Sequence, residues 1–198
     1  KEWLISRFNL NECETDISLL GVDIKTMHYC EQGENNIREQ YALEGKIILV
    51  NAGKQYSGKK IDFIVDVFVY AKNVLMLDNL FLLLVGNSDS EYKRYIDEKL
   101  LGVKDSYLRI PFLERSELML IYSAADIGIW PGVPSNTIQE AMSCGVSMLL
   151  PNNNIVGHLI DDNGAYLDMT SAENSANTLA SIIFDEDKLK LMKISLIR

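Results

Sequence analysis

The sequence has few cysteines and histidines, and neither type is grouped. The three cysteines, Cys13, Cys30 and Cys144, are odd in number and form no close pair. Free thiols of this kind are typical of a reducing compartment, so we expect a cytoplasmic protein. His28 lies two residues before Cys30, but no second pair of ligands stands nearby. Because zinc sites usually show repeated close spacing, we predict no metal site.

Long apolar runs and an excess of positive charge are also missing. No apolar stretch approaches the roughly 20 residues that a helix needs to span a bilayer. The formal net charge of −9 disfavours nucleic acid or an anionic membrane as the main partner of this part of the protein. A small anionic ligand still fits, since lysines close to it decide its binding. Hydrophobic residues make up 47% of the chain, which is enough for an ordinary buried core.

Short apolar runs alternate with longer amphipathic segments from Lys46 onward. Strands are predicted at 47–50, 81–85, 107–112, 127–130, 147–150 and 165–167, and helices at 61–72, 91–101, 116–125, 136–143 and 171–184. Strands that are buried on both faces and separated by helices indicate a Rossmann-like α/β fold, with a parallel sheet and helices on both faces. Residues 1–45 show no strong period, and we predict a connecting segment from a preceding N-terminal domain. Residues 46–198 then form the ligand-binding domain.

The loop after the first predicted strand suits an anion. Gly53 and Gly58 let backbone amides approach a ligand closely, and Lys54, Lys59 and Lys60 add positive charge. These groups are suited to binding a diphosphate. The segment also nearly matches a P-loop, but Lys60 stands where that motif has the Ser or Thr that binds Mg²⁺. A solvated turn that carries lysines is the third interpretation.

A second candidate segment runs from Trp130 to Gly145, where a strand ends in a proline-rich loop and a short helix follows. Glu140 is predicted about one turn into this helix, where a carboxylate can accept hydrogen bonds from a ribose diol. Thr137 and Glu140 also have the spacing of a capping box, in which both side chains only close the helix end. Spacing alone favours the cap.

Five short motifs follow one another along the chain: GVD at 21–23, GK at 53–54 five residues before Lys59, LLLVGN at 82–87, SAADIGIWP at 123–131 and IQEAMSCGVSMLLP at 138–151. This ordered set resembles the C-terminal domain of glycosyltransferases with the GT-B fold, of the retaining family 4 or "glycosyl transferases group 1" type. The resemblance covers roughly residues 20–170, and it keeps both the order and the spacing of the motifs.

The resemblance implies that a nucleotide-sugar donor lies against Gly53, Lys54, Lys59, Ile110, Ser135, Asn136, Thr137 and Glu140. Lys54 and Lys59 would contact the diphosphate and act in catalysis by stabilising its departure. Glu140 would bind the ribose, and the loop 135–137 would present backbone amides to the phosphate and the sugar. The strand end at Ile110, between Arg109 and Pro111, would lie beside the base.

The resemblance implies transfer of a hexose-type sugar from a nucleoside-diphosphate sugar to an acceptor hydroxyl, with retention of configuration and with no metal or other cofactor. Polysaccharide biosynthesis is the expected setting. An N-terminal domain of roughly 150 residues would bind the acceptor. We therefore expect residues 1–198 alone to be inactive or nearly so.

The sequence departs from the family at Gly132. The family usually has a second glutamate eight residues before the ribose-binding one, and this glutamate reaches the donor sugar. Gly132 takes its place, and no acidic residue occurs between Asp126 and Glu140. Ser135 and Asn136 could take over the sugar contacts, sugar recognition could differ, or activity could be degraded.

Three other functions compete with this interpretation. The missing acid favours a non-catalytic nucleotide-binding or interaction module. An epimerase of GT-B shape would need carboxylate and histidine catalysts, for which His28 and His158 are poorly placed. A dinucleotide-binding dehydrogenase would need a Gly-x-Gly-x-x-Gly motif with an acidic residue about 20 positions later, and the sequence has none.

Overall fold

The computed structural model describes residues 1–16, 21–185, 187 and 189–192, so the end of the predicted domain, 193–198, lies outside the described residues. Its centre is a six-stranded parallel sheet with the strand order β3-β2-β1-β4-β5-β6. The strands are β1 Ile47–Ala52, β2 Leu80–Val85, β3 Tyr107–Ile110, β4 Ile127–Ile129, β5 Ser147–Pro151 and β6 Gly164–Leu167. The Rossmann-like parallel sheet predicted from the sequence is confirmed.

The described residues form seven α-helices. They are α1 Glu2–Phe8, α2 Glu31–Gln40, α3 Ile61–Asn73, α4 Ser90–Lys99, α5 Arg115–Ala124, α6 Thr137–Ser143 and α7 Ala172–Ile183. Short 3₁₀ segments occur at Glu12–Glu14, Ser57–Lys59, Leu101–Ser106 and Gly157–Leu159. None of these described helices is both long enough and apolar enough to cross a bilayer.

Alternating side chains of the strands build a core on each face of the sheet. Leu49 of β1 packs into the core formed with α3, α4 and α7. Its neighbours Ile48 and Val50 pack into the opposite core, formed with α2, α5 and α6. Both faces are therefore covered, which explains why the central strands are continuous apolar runs rather than alternating ones.

Two predicted elements end two residues earlier than their apolar patterns suggested. Strand β3 stops at Ile110 rather than Phe112, because Pro111 has no N–H for the ladder. Helix α4 ends at Lys99, and the chain continues as a 3₁₀ segment in which Val103 has a non-helical backbone. Leu100 and Val103 are buried although the α-helix has ended, so an apolar pattern read as helical did not show the change of backbone.

Helix α2 lies within the segment 1–45, for which the sequence predicted only a connector. It packs on α5 because Gly33 allows close approach: a Cβ at this position would lie 2.5 Å from Cδ2 of Leu120. Ile37 is buried, and Arg38 forms an ion pair of 3.0 Å with Asp126 of the sheet domain. Because a glycine and a charged residue make much of this contact, the segment has no strong apolar period. The boundary at residue 45 stays a prediction, although residues on both sides of it share one core.

The strand order places one candidate ligand position at the carboxyl edge of the sheet. Strand β1 pairs with β2 on one side and with β4 on the other. The strands after β1 are therefore added first on one side of it and then on the other, so the strand order reverses at β1. In open α/β sheets, ligands bind where the strand order reverses, beyond the carboxyl ends of the strands. The loops that follow β1, β2, β3 and β4 meet at this point.

Candidate functional site

A cavity of about 560 Å³ opens at the carboxyl ends of β1, β2 and β3. Its walls are Ala52, Gly53, Lys54, Val85, Gly86, Asn87, Ser88, Asp89, Phe112, Leu113, Leu118 and Thr137. Gly53, Lys54 and Thr137 were among the predicted donor-binding residues. The volume falls within the range of cavities that hold small molecules and cofactors.

The floor of this cavity is bare backbone, because two glycines meet there. Gly53 and Gly86 have φ values of 129° and 124°, a region that L side chains rarely adopt. The amide of Gly53 donates to the carbonyl of Val85, and a Cβ on Gly86 would lie 2.1 Å from the carbonyl oxygen of Gly53. Gly86 thus lets the ends of β1 and β2 lie against each other, while the space next to Gly53 stays open, so a ligand can approach the main chain of Gly53 without meeting a side chain.

The carbonyl of Ala52 ties the loop after β4 to the end of β1. It accepts hydrogen bonds from the indole Nε1 of Trp130 and from Oγ1 of Thr137, both at 3.1 Å. The hydroxyls of Ser135 and Thr137 are 2.7 Å apart. A Cβ on Gly53 would be 4.0 Å from the first hydroxyl and 3.9 Å from the second. Two of the predicted polar residues are therefore held beside Gly53.

The capping box that the spacing of Thr137 and Glu140 allowed as an alternative does not form. The N-cap of α6 is Asn136, which is exposed and makes no capping bond through its side chain. Thr137 is already the first helical residue, and its hydroxyl bonds to the carbonyl of Ala52 instead. The spacing matched the motif, but the helix begins one residue too early for Thr137 to be the cap.

Glu140 is held by a residue that the sequence analysis did not identify. Its Oε1 lies 3.2 Å from Nη2 of Arg115, at the start of α5. The side chain of Glu140 is 13% exposed, whereas that of Arg115 is 56% exposed. The carboxylate is thus mostly enclosed but still paired with an exposed cation, whose position 25 residues earlier in the chain gave no signal.

The two predicted catalytic lysines differ in their surroundings. Lys54 is exposed and lines the cavity. Lys59 is partly buried, and its Nζ donates to the carbonyls of Val133 at 2.6 Å and Pro134 at 3.3 Å. Desolvation lowers the pKa of Lys59 from its ordinary value. Residues Ser57–Lys59 form a 3₁₀ turn, and Lys60 follows with a left-handed backbone at φ 52°.

Ile110 contributes through its backbone rather than its side chain. The side chain is 5% exposed and belongs to the core, while its carbonyl accepts a hydrogen bond of 2.8 Å from the amide of Gly86. A smaller cavity of about 260 Å³ adjoins this strand end, lined by Gly86, Asn87, Ser88, Lys93, Arg109, Ile110 and Pro111. Beside it, Arg109 bonds to Oε1 of Gln55 and pairs with Asp97.

Several cavity residues escaped the sequence analysis. Asn87 and Asp89 follow β2, and Oδ1 of Asn87 accepts the amide of Phe112 at 3.2 Å, which links the loops after β2 and β3. Phe112, Leu113 and Leu118 form an apolar wall. The signal that could have found them is their position directly after predicted strands. Among the described residues, no group of three or more His, Cys, Asp or Glu side chains could hold a metal ion.

Solved glycosyltransferase structures share this fold. HepE (Alr3699) from Anabaena, in complex with UDP, has a TM-score of 0.84 at 15% identity, over 99% of this chain and 55% of that chain. WaaG, a glycosyltransferase involved in lipopolysaccharide biosynthesis, has a TM-score of 0.81 at 16% identity, over 98% of this chain and 54% of that chain. This chain therefore spans about half the length of these two proteins.

A solved C-terminal domain is also similar over nearly its whole length. The C-terminal domain of the group 1 family glycosyl transferase LpcC from Francisella tularensis has a TM-score of 0.75 at 17% identity, over 89% of this chain and 95% of that chain. No curated protein matches the sequence. The family model "Glycosyl transferases group 1" matches residues 33–194, which is more than half of the chain. The resemblance seen in the sequence motifs is therefore confirmed, and the chain belongs to the glycosyl transferases group 1 family, with the fold of a GT-B C-terminal domain.

Proposed function

We propose that this chain binds a nucleoside-diphosphate sugar, and that the whole protein transfers the sugar to an acceptor hydroxyl with retention of configuration. The observation that carries the proposal is the cavity at the strand ends, which combines a bare glycine floor, an exposed lysine and an apolar wall. A nucleotide sugar has the matching parts, since it joins an anionic diphosphate to a base whose flat aromatic face can pack on apolar side chains. HepE, which shares the fold, was solved with UDP and with UDP-glucose.

The diphosphate is proposed to lie over Gly53 and Gly86. The missing side chain of Gly53 leaves room for phosphate oxygens close to the main chain, because the nearest atoms to a Cβ there would be 3.9 Å away. Lys54 reaches this place from the rim of the cavity. An ammonium group carries three N–H donors, and Lys59 uses two of them on loop carbonyls, which leaves a third for a phosphate oxygen.

The ribose is proposed to bind Glu140, and the base to lie against the apolar wall. The carboxylate of Glu140 already binds Arg115 through Oε1, so the contact orients the group before the donor arrives. Phe112 is 65% exposed at the cavity, which leaves its ring open to a flat ligand. Adding a base here would bury apolar surface on both partners.

The proposed reaction breaks the bond between the anomeric carbon and the diphosphate oxygen while the acceptor oxygen bonds to that carbon. Negative charge grows on the departing diphosphate, and positioned donors such as the two lysines stabilise it. Each preorganised donor of this kind is worth about 3–4 kcal/mol of barrier. The acceptor, and a group that receives its proton, would come from an N-terminal half, so the isolated chain should bind donor without rapid transfer.

The proposal is tested by calorimetric titration of the chain with UDP, GDP and ADP. Loss of a hydrogen bond to a charged group costs roughly 1.5–3 kcal/mol, so Lys54→Met and Glu140→Gln should each weaken binding about tenfold to a hundredfold. Matched controls are Lys72→Met and Glu39→Gln, which remove the same charges on α3 and α2 away from the cavity. If the site variants bind like the wild type, the donor site is wrong. If no diphosphate binds at millimolar concentration, the non-catalytic interaction module is favoured.

A further inference from the structure

Two loops that border the candidate donor site are fastened to each other. One contains Gly58 and Lys59 after β1, and the other contains residues 132–135 after β4. The amide of Val133 donates to the carbonyl of Gly58 at 2.9 Å, and Nζ of Lys59 donates to the carbonyls of Val133 and Pro134. The main chain of one loop is therefore bonded in both directions to the other, across more than 70 residues of sequence.

Gly132 lies at the centre of this contact. A Cβ on Gly132 would be 2.4 Å from the carbonyl oxygen of Gly58 and 2.5 Å from Cα of Lys59, and real Cβ atoms do not approach backbone so closely. Its φ does not lie in the left-handed region, so the backbone conformation itself does not call for glycine. Space alone excludes a side chain, because the backbone of Gly58 and Lys59 already fills it.

The fastened loop determines what faces the sugar end of the proposed donor. Immediately after the contact come Ser135 and Thr137, whose hydroxyls bond to each other and, through Thr137, to the carbonyl of Ala52. The chain of contacts from Lys59 thus ends at two neutral hydroxyls beside Gly53. No carboxylate can enter this wall from position 132 unless the two loops separate.

We propose that Lys59 is a positioning residue that, together with Gly132, locks residues 132–135 into a neutral wall of main chain and hydroxyls beside the donor sugar. The proposal rests on the proposed function for its ligand, but the lock itself is a property of the free protein. On this proposal, Gly132 is present because the contact between the loops requires a glycine, and its presence does not mean that the site has lost a needed glutamate. Lys59 acts on the sugar through the loop, in addition to its contact with the diphosphate.

Amide hydrogen exchange of the donor-free chain tests the lock at the amide of Val133. Lys59→Met removes both carbonyl contacts, so this amide should exchange about tenfold to a hundredfold faster, as expected for lost hydrogen bonds to a charged group. Lys59→Arg keeps several N–H donors and should restore most of the protection. Lys72→Met is the matched control, because the Nζ of Lys72 also donates to a carbonyl, that of Asp78, and burial also lowers the pKa of Lys72.

The amide of Leu49 in β1 separates a local effect from unfolding of the whole domain. Faster exchange at Val133 with unchanged exchange at Leu49, and rescue by arginine, supports the lock. Unchanged exchange at Val133 in Lys59→Met overturns it, whether or not any nucleotide binds. Faster exchange at Val133 and Leu49 together, without rescue by arginine, also overturns it, because Lys59 would then be a general stabiliser.

Substitution of Gly132 gives an independent test of the contact between the two loops. Gly132→Glu restores the acid that the family usually has, yet it should accelerate exchange at Val133 and lower the melting temperature, because the loops must separate. Gly102→Ala is the control: its backbone is not left-handed either, and the nearest atom to a Cβ there is 3.9 Å away. A Gly132→Glu variant that is as stable and as protected as the Gly102→Ala control would refute the steric argument.

Discussion

Removal of Arg38 should show that α2 is an integral part of the sheet domain. Its guanidinium donates to the carbonyls of Leu43, Lys46 and Ala124 and to the carboxylate of Asp126, which is 6% exposed. The same carboxylate accepts the amide of Ile48 at the start of the central strand. Replacement by methionine would remove the guanidinium that pairs with this buried carboxylate, at the junction of α2, β1 and β4.

The expected cost follows from the burial of this pair. Removing one partner of a buried ion pair costs roughly 3–5 kcal/mol. For a domain of this size, that corresponds to a fall in melting temperature of roughly 6–20 °C. Lys99→Met is the matched control, because it removes a cation from the pair with Asp66, whose side chain is 47% exposed. Exposed pairs of that kind contribute about 0–1 kcal/mol.

The effect and its origin are measured by urea unfolding in a double-mutant cycle. The cycle consists of the wild type, Arg38→Met, Asp126→Asn and the double variant. Arg38→Met should lower the free energy of unfolding much more in the wild-type background than in Asp126→Asn, because the amide leaves no uncompensated charge. The cycle isolates the ionic part from the lost packing of the long side chain. If Arg38→Met lowers the free energy of unfolding by less than about 1 kcal/mol, the pair contributes no more than an exposed pair does. In that case α2 does not stabilise the sheet domain through Arg38, and the connector interpretation of residues 1–45 stands.

Two further predictions concern the cavity floor and pH. Gly86→Ala should lose roughly 1–3 kcal/mol of stability and also nucleotide affinity, because its Cβ meets the carbonyl of Gly53. Gly45→Ala also has a left-handed φ, of 70°, but open space around it, so equal losses in both would rule out the clash. Hydrogen bonds from Thr170 and Asn174 lower the pKa of Asp168 to about 2, so its stabilising contribution should be complete above about pH 4 and lost as the pH falls through 2. NMR titration of this carboxyl checks the value, and an ordinary pKa near 4 would contradict it.

The sheet could be predicted because its signals are local. The runs around Leu49 and Leu83 are apolar on both faces, and glycines or polar loops mark their ends, so strand positions follow from the sequence alone. The parallel direction of the strands follows from their alternation with helices, whereas their order in the sheet was seen only in the structure. Helix α2 was missed because its contacts with α5 depend on Gly33 and Arg38, which carry no apolar period.

The candidate site was predictable where a residue directly follows a strand. Gly53 and Lys54 line the cavity as this rule requires, whereas Thr137, which also lines it, begins α6 and was predicted from the family resemblance. Arg115 could not be found in this way, because only the folded chain brings the start of α5 to Glu140. Phe112 follows β3 directly, so the same rule reaches it, although the sequence analysis placed it inside the strand.

Gly132 shows why a motif comparison alone can misjudge a site. Compared with the family pattern, a glycine in place of an acid suggests that a sugar contact has been lost. In the folded chain, the space next to Gly132 is filled by the backbone of Gly58 and Lys59, which lies more than 70 residues earlier. An acid at this position and the present course of the loop therefore exclude each other. The departure from the motif changes the wall of the site, and its consequence for sugar recognition has to be argued from that wall rather than from the missing carboxylate.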